Sequence, residues 1–321
     1  MKVFISCMEC QRQMGIPSFK YAEADINNDF YFVTTCESGH KTLTLLQEER
    51  FEVLFEFGCG ALLDGYYRET VSSIAAAIER YHEFFIRVIT IQNNLPMDKF
   101  HEVWKYISNQ SERQLGAFYL MYLHEFKTVP PNFVERYAPF RNKVIHKGYI
   151  PTQGEARKYA EEAFNYIVYS LQILKNGYSE SIQQLISMNL QKVISTDNKL
   201  PISTMAINSI IGLISGEEDW GSRCFDSVLD AFKKRREMLE QLPNIQVLLT
   251  NEAEGNAKTA IYKAHFDPIE GRILGVYPNI IDYPIIPEPH INLTYKEWQE
   301  CIEKPENYRV DIINKKLVCD R

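Results

Sequence analysis

The sequence has no apolar run of the roughly 20 residues needed to cross a bilayer, so no membrane partner is expected. It also has no excess of positive charge. Its 35 lysines and arginines face 42 aspartates and glutamates, for a net charge of −7. A protein that coats nucleic acid without specificity is ordinarily basic, so that class is disfavoured. An enzyme that handles RNA at a local basic patch stays open. The opening stretch MKVFISCMECQRQ lacks the long apolar core and small-residue cleavage site of a secretory signal. No internal repeat or low-complexity tract is visible, which removes solenoids and fibrous arrays. Cysteine is scarce and odd in number, seven in all, with three in the first 40 residues. That usage argues against a disulfide scaffold and for thiolates reserved for metal in a reducing, cytoplasmic setting.

What is present is ordinary for a globular protein: 45% apolar and 24% charged residues over 321 positions, enough for two or three domains. Residues 1–58 read as a small β module, with FYFVTTC (Phe30–Cys36) rich in β-branched and aromatic side chains and AEADINND before it as a loop. FEFGCG, around Cys59, reads as a buried turn. A helical block follows over 59–178. Val71, Ile74, Ala75, Ile78, Tyr81, Phe85 and Val88 recur at helical spacing between Tyr66 and Gln92. A second helix is expected from Met97 to Phe126 with a break near Asn109–Glu112, and a third over Asn132–His146, ended by Gly148 and Pro151. The fourth opens on a Thr152-x-x-Glu155 capping box and is expected to stop at Gly177. Short links between four helices predict an antiparallel bundle. Residues 179–245 continue helical. After Pro243 the pattern changes: IQVLLT, TAIYKAHF and RILGVYP read as strands, DPIEG as a hairpin turn, and a short helix near Tyr295–Glu303 precedes a last strand, giving a small α+β module over 246–321. The fold class is therefore mainly α, flanked by two small β-containing modules.

Cys7-x-x-Cys10 and Cys36-x-x-x-His40 form two close pairs, each near a turn. Together they offer four soft ligands to a tetrahedral zinc ion, and the four-ligand count suits a closed structural site of zinc-ribbon type. The alternative is two unrelated buried clusters. Cys59 is a spare ligand candidate.

FRNKVIHKG, from Phe140 to Gly148, sets an arginine and a histidine five residues apart at an expected helix end. Lys143 and Lys147 add positive potential, as do Arg157 and Lys158 across the loop. No serine or cysteine nucleophile and no carboxylate cluster for Mg²⁺ lies nearby. RNA carries its own nucleophile, the 2′-hydroxyl. A histidine, titrating ordinarily near pH ~6.5, can move its proton. The arginine fork can hold charge developing on phosphate oxygens, and Asn142 can orient one of them. The plainer reading is a helix C-terminus whose cations complement the dipole. Five residues span about 140° of helix, so Arg141 and His146 converge only if the end loosens or Arg141 bends across.

FRNKVIHKGYIPT, followed by the capped EARKYAEEAFNYIVYSL and preceded by YYRETVSSIAAAIERYHEFF, resembles the HEPN superfamily over about residues 60–178. Its ribonuclease members carry an Arg-polar-x3-His pattern at this place. The resemblance implies a metal-independent endoribonuclease leaving a 2′,3′-cyclic phosphate, with Arg141, Asn142 and His146 in the site. Glu79 matches an acidic position of the first long helix, with Glu83 a rival. It further implies a homodimer that joins two Arg/His pairs in one cleft, and a role as a toxin or anti-phage abortive-infection effector. The alternative within the resemblance is a non-catalytic binding or dimerisation module.

The segment from Ala260 resembles a module of phage tail-fibre-assembly proteins. It carries Gly-x-Ile-x-Gly-x-Tyr over Gly271–Tyr277, a proline-rich link at Pro287–Pro289, and Thr-x-x-x-Trp-Gln over Thr294–Gln299. This resemblance implies a phage-related origin and allows either a structural tail role or sensing of a phage protein that triggers the effector. A recombined module serving stability or oligomerisation is the simpler alternative.

Overall fold

A computed structural model describes residues 2–14, 21–36, 38–194, 200–207, 209–213, 223–253, 262–266, 270–278, 289–294, 296–297, 300–301 and 307–319. The chain divides into two compact units. The first comprises Met1–Val3, Asp25–Phe32 and Leu43–Arg235. The second comprises Phe4–Ala24, Val33–Thr42 and Arg236–Arg321. Eight helices among the described residues make the protein mainly α, with small sheets toward both ends of the sequence. None of the described helices is long and apolar enough to cross a membrane.

In chain order the elements begin with β1 (Lys2–Ser6), α1 (Met8–Met14), β2 (Tyr21–Asp25), β3 (Tyr31–Thr35) and β4 (Lys41–Leu46). β1 pairs with β2. The first four residues of AEADINND, expected as loop, are therefore strand: edge pairing to β1 outweighs their polar composition, because a paired backbone satisfies its own amides. β3 pairs with β4, and β4 pairs in parallel with β5 (Ile202–Met205), setting Leu43 beside Ile202 and Leu46 beside Met205. β5 interrupts a region expected to be helical throughout. Its neighbour β4 buries five consecutive residues, Thr42–Leu46, the continuous run of a strand covered on both faces.

The helical unit is built on α2 (Arg50–Leu63), α3 (Tyr67–Gln92), α4 (Met97–Ile107), α5 (Ser111–Phe126), α6 (Val134–Lys147) and α7 (Gln153–Ile194). α3 is the hub, packing against α2, α5, α6 and α7. Its Val71, Ile74, Ala77, Tyr81, Phe85 and Val88 are essentially sealed from water. Each large apolar side chain buried this way contributes about 1.5–3 kcal/mol. The FEFGCG stretch is the middle of α2, not a turn. A Cβ on Gly58 would stand 2.5 Å from Ile74 Cγ1, so the missing side chain lets α2 close onto α3. Gly58, which suggests a turn, is there for helix–helix proximity.

The expected break between α4 and α5 falls at residues 108–110, and the Thr152–Glu155 box opens α7. The Glu155 carboxylate accepts from the Thr152 amide at 2.8 Å, and the Glu155 amide donates to Thr152 Oγ1 at 3.3 Å. Gly177 marks a bend, not an end. α7 runs on to Ile194 with one non-helical residue, Tyr178, at φ −133° and ψ 22°.

α8 (Phe225–Ala253) also runs past an expected boundary. IQVLLT continues this helix through Pro243 instead of forming a strand; a six-residue apolar run fits either period. Within the first unit, Arg235 on α8 bonds the Glu56 carboxylate of α2 and, at 2.6 Å, the Ile207 carbonyl. Glu52, 1% exposed, accepts three bonds. They come from the Glu49 amide at 2.9 Å, the Ser209 hydroxyl at 2.8 Å and the Leu213 amide at 2.9 Å. A buried carboxylate is tolerable only with partners of this kind.

In the second unit, β6 (Tyr262–Phe266), β7 (Ile273–Pro278) and β8 (His290–Leu293) form an antiparallel sheet in the order β7-β6-β8. β9 (Tyr308–Asp311) and β10 (Lys316–Cys319) form a separate pair. Ala264, Phe266, Ile291, Leu293, Cys301 and Val310 make its core. Most of the expected DPIEG turn, residues 267–269, and the proline-rich link at 287–288 lie outside the described residues. Of the expected helix at 295–303, residues 296–297 and 300–301 are described and are helical.

Candidate functional site

Cys7 follows β1, Cys10 lies in α1, and Cys36 and His40 flank the turn between β3 and β4. That turn is tight: the Gly39 amide donates to the Cys36 carbonyl at 2.9 Å, and the Cys36 amide donates to the His40 carbonyl at 3.0 Å. The four ligand atoms lie within 4.8 Å of one another, with Cys7 and Cys10 buried and Cys36 and His40 half-buried. Cys10 Sγ is 3.7 Å from Cys36 Sγ. His40 Nδ1 is 3.3 Å from Cys10 Sγ and 3.8 Å from Cys7 Sγ. Ligand bonds of about 2.3 Å to sulfur and about 2.0 Å to nitrogen would make the edges of a zinc tetrahedron about 3.8 Å and about 3.5 Å. The cluster thus has the size and the donors to hold a tetrahedral metal ion. Burial, then its bonds to Cys7 and Cys36, push the Cys10 thiol up to about 11. Burial opposes the Cys36 thiolate, yet the His40 amide region, Cys7 and Cys10 together bring it down to about 7. Cys59 is fully buried in α2 and is not part of the cluster.

α6 is held to the core by Val144, which is fully buried. Its C-terminus is closed by Gly148, at φ 69°, in the left-handed region that favours glycine, with the cap amide donating to the Lys143 carbonyl. Asn142, Lys143, His146 and Lys147 are exposed, and Arg141 is half-buried. Arg141 Nη2 donates to Glu79 Oε1 of α3 at 2.9 Å, and Nη1 donates to Asn142 Oδ1 at 3.1 Å. Arg141, Asn142 and Glu79 therefore form one bonded group. Glu83, one turn further along α3, is committed elsewhere, to Arg80 and Arg87 at 2.6 Å each. Among the described residues, no hydrogen bond joins His146 to this group.

The other expected phosphate-contacting cations divide. Lys143 Nζ sits 3.4 Å from the centre of the Tyr149 ring, and Tyr149 bonds the capping Glu155 at 2.9 Å. Arg157 pairs with Asp226. Lys147 and Lys158 are exposed.

Two features were not read from the sequence. Tyr159 is buried behind the pair, its phenol raised above the ordinary value by burial, with Arg141 opposing and Glu79 adding to the shift. The second is a cleft of about 430 Å³ beside Glu83, lined also by Phe84, Glu48 and Ile186. His82 of α3 is buried. Its Nε2 lies 2.8 Å from the Tyr166 hydroxyl and its ring stacks on Phe118 at 4.3 Å. Burial first, then Arg80, pushes its pKa down to about 3, so it is a neutral core residue.

No protein-family model, curated protein or solved structure matches the chain, so the roles of these residues rest on their geometry and chemistry.

Proposed function

We propose that the protein is a metal-independent endoribonuclease of HEPN type, acting in the cytoplasm as a toxin or abortive-infection effector. The observation that carries this reading is the Arg141–Glu79 pair, which fixes an arginine on α6 five residues before the exposed His146. In the reaction the 2′-oxygen attacks phosphorus while its proton passes to an imidazole. The P–O5′ bond then breaks as a proton reaches the departing 5′-oxygen. The products are a 2′,3′-cyclic phosphate and a 5′-hydroxyl. Arg141 stabilises the charge on the non-bridging oxygens, an interaction that grows as the phosphorane forms. Asn142 and Glu79 orient the guanidinium, and Lys147 and Lys158 draw the RNA backbone in. Base and acid are both needed, so a second His146 from a homodimer partner completes the cycle.

In this reading Cys7, Cys10, Cys36 and His40 hold a structural zinc, because three thiolates and one imidazole leave no open position for substrate. The C-terminal module resembles tail-fibre-assembly proteins, and in this reading it serves stability or oligomerisation, with recognition of a phage protein as the alternative. The test is expression in bacteria of wild type and His146→Ala, alone and under phage infection, with growth and total RNA scored. The reading requires arrest and RNA fragmentation by wild type only. Equal outcomes for both proteins in both conditions would leave a binding module instead.

A further inference from the structure

α6 carries a planar surface about one turn before Arg141 that the cleavage chemistry does not use. Four side chains stack there from the core outward. The Tyr166 and Phe133 rings lie 5.3 Å apart and 25° from parallel. The Phe133 and Tyr137 rings lie 4.9 Å apart at 28°, and Arg136 Cζ stands over the Tyr137 ring, 5.0 Å from its centre. Exposure rises along the column. Tyr166 is 4% and Phe133 6% exposed, Tyr137 is half-buried, and the Arg136 side chain is 54% exposed. The column therefore ends at the surface on a guanidinium.

That guanidinium is held in place. Its Nη2 donates to Glu162 Oε1 of α7 at 2.9 Å and to the Tyr137 hydroxyl at 3.2 Å. Glu162 offsets the charge, so Arg136 offers a flat face and not a surplus of charge. Unpaired bases stack on such guanidinium planes and on aromatic rings in RNA recognition.

Tyr159 ties the column to the cleavage site. Its ring meets Tyr137 at 5.5 Å and Phe140 at 5.7 Å, and its phenol lies in the field of Arg141 and Glu79. Tyr137 and Arg141 stand about 6 Å apart along the helix axis and about 40° apart around it. Arg136 leaves the helix about 140° from Arg141, but folding over Tyr137 carries its guanidinium round toward the Arg141 side. We infer that Arg136, seated on Tyr137, stacks on an unpaired base of the RNA next to the phosphate that Arg141 receives. The inference rests on the ribonuclease reading for the place of that phosphate. It makes the substrate single-stranded beside the cut, because a base inside a duplex has both faces covered. Preference for one base there is weak, since every base has a flat face.

The test is binding of a short, fully 2′-O-methylated strand, which offers no nucleophile and cannot be cut. Fluorescence anisotropy with the full chain compares this strand, the same strand annealed to its complement, and an abasic strand of equal length. Wild type should bind the single strand most tightly. Arg136→Lys keeps the charge but loses the plane, and should weaken the single strand by about tenfold while leaving the abasic strand unchanged. Arg136→Ala should weaken the single strand at least as much. Equal binding of the single strand by wild type and Arg136→Lys, or an equal loss on the abasic strand, would overturn the inference. Duplex bound as tightly as the single strand, or no strand bound by wild type, would overturn it too. The readout is independent of cleavage: a wild type that shows the stacking pattern yet cuts no RNA would sink the ribonuclease reading alone, and a wild type that cuts RNA without the pattern would sink the stacking residue alone.

Discussion

Glu79 and Arg141 meet at 2.9 Å across α3 and α6, 62 residues apart in sequence, with side chains 30% and 26% exposed. A pair this open to water contributes about 0.2–1 kcal/mol to stability. Its value lies in fixing the direction of the guanidinium. Glu79→Gln should therefore change the unfolding free energy by less than about 1 kcal/mol yet slow RNA cleavage by about tenfold or more. Urea denaturation and single-turnover cleavage check the two halves. A variant that cleaves at the wild-type rate would remove Glu79 from the site.

The Cys7, Cys10, Cys36 and His40 cluster should carry one zinc per chain in protein purified without chelator. Cys10→Ser, at a position 3% exposed, should reduce bound zinc to under about a tenth, because an alcohol is a far poorer soft ligand. Elemental analysis against protein concentration reads this directly. Full zinc retention in Cys10→Ser would exclude a four-ligand site.

Glu48 sets a pH dependence. Its folded carboxyl lies at about 7 against an ordinary 4.5, raised by burial and then by Glu52. The folded state therefore holds the proton more tightly, and stability falls as pH rises from the ordinary value to about 7. Glu48→Gln mimics the protonated form and keeps an acceptor for the Ile207 amide, now bonded at 2.7 Å. The variant should match wild type near pH 4 and exceed it by about 2–3 kcal/mol at pH 8. Denaturation curves at the two pH values test this, and an equal difference at both would refute it.

Much of the helical unit was legible because its signals are local. The Thr152–Glu155 box and the 3.6-residue rhythm of Val71 to Val88 need no tertiary information. The misread stretches depend on distant partners. Gly58 is a contact with Ile74, invisible until α2 and α3 are paired. The YAEAD and Ile202–Met205 strands exist because β1 and β4 supply their hydrogen bonds. IQVLLT is too short for its period to separate helix from strand. The Cys7, Cys10, Cys36 and His40 cluster was legible as two spaced pairs. The Arg80–Glu83–Arg87 cluster shows the i, i+3 and i, i+4 spacing of ion pairs on a helix face.

The most direct test of the central claim is cleavage of a defined RNA by the purified protein without magnesium, compared with His146→Ala and with a substrate carrying one 2′-deoxy sugar at the cut site. His146 is exposed, so the variant should unfold within about 0.5 kcal/mol of wild type. The account predicts fragments ending in a 2′,3′-cyclic phosphate, no cut at the deoxy position, and a loss of about 10²–10⁴-fold in His146→Ala. Cleavage at the deoxy position, equal rates for the two proteins, or no cleavage by wild type would contradict it.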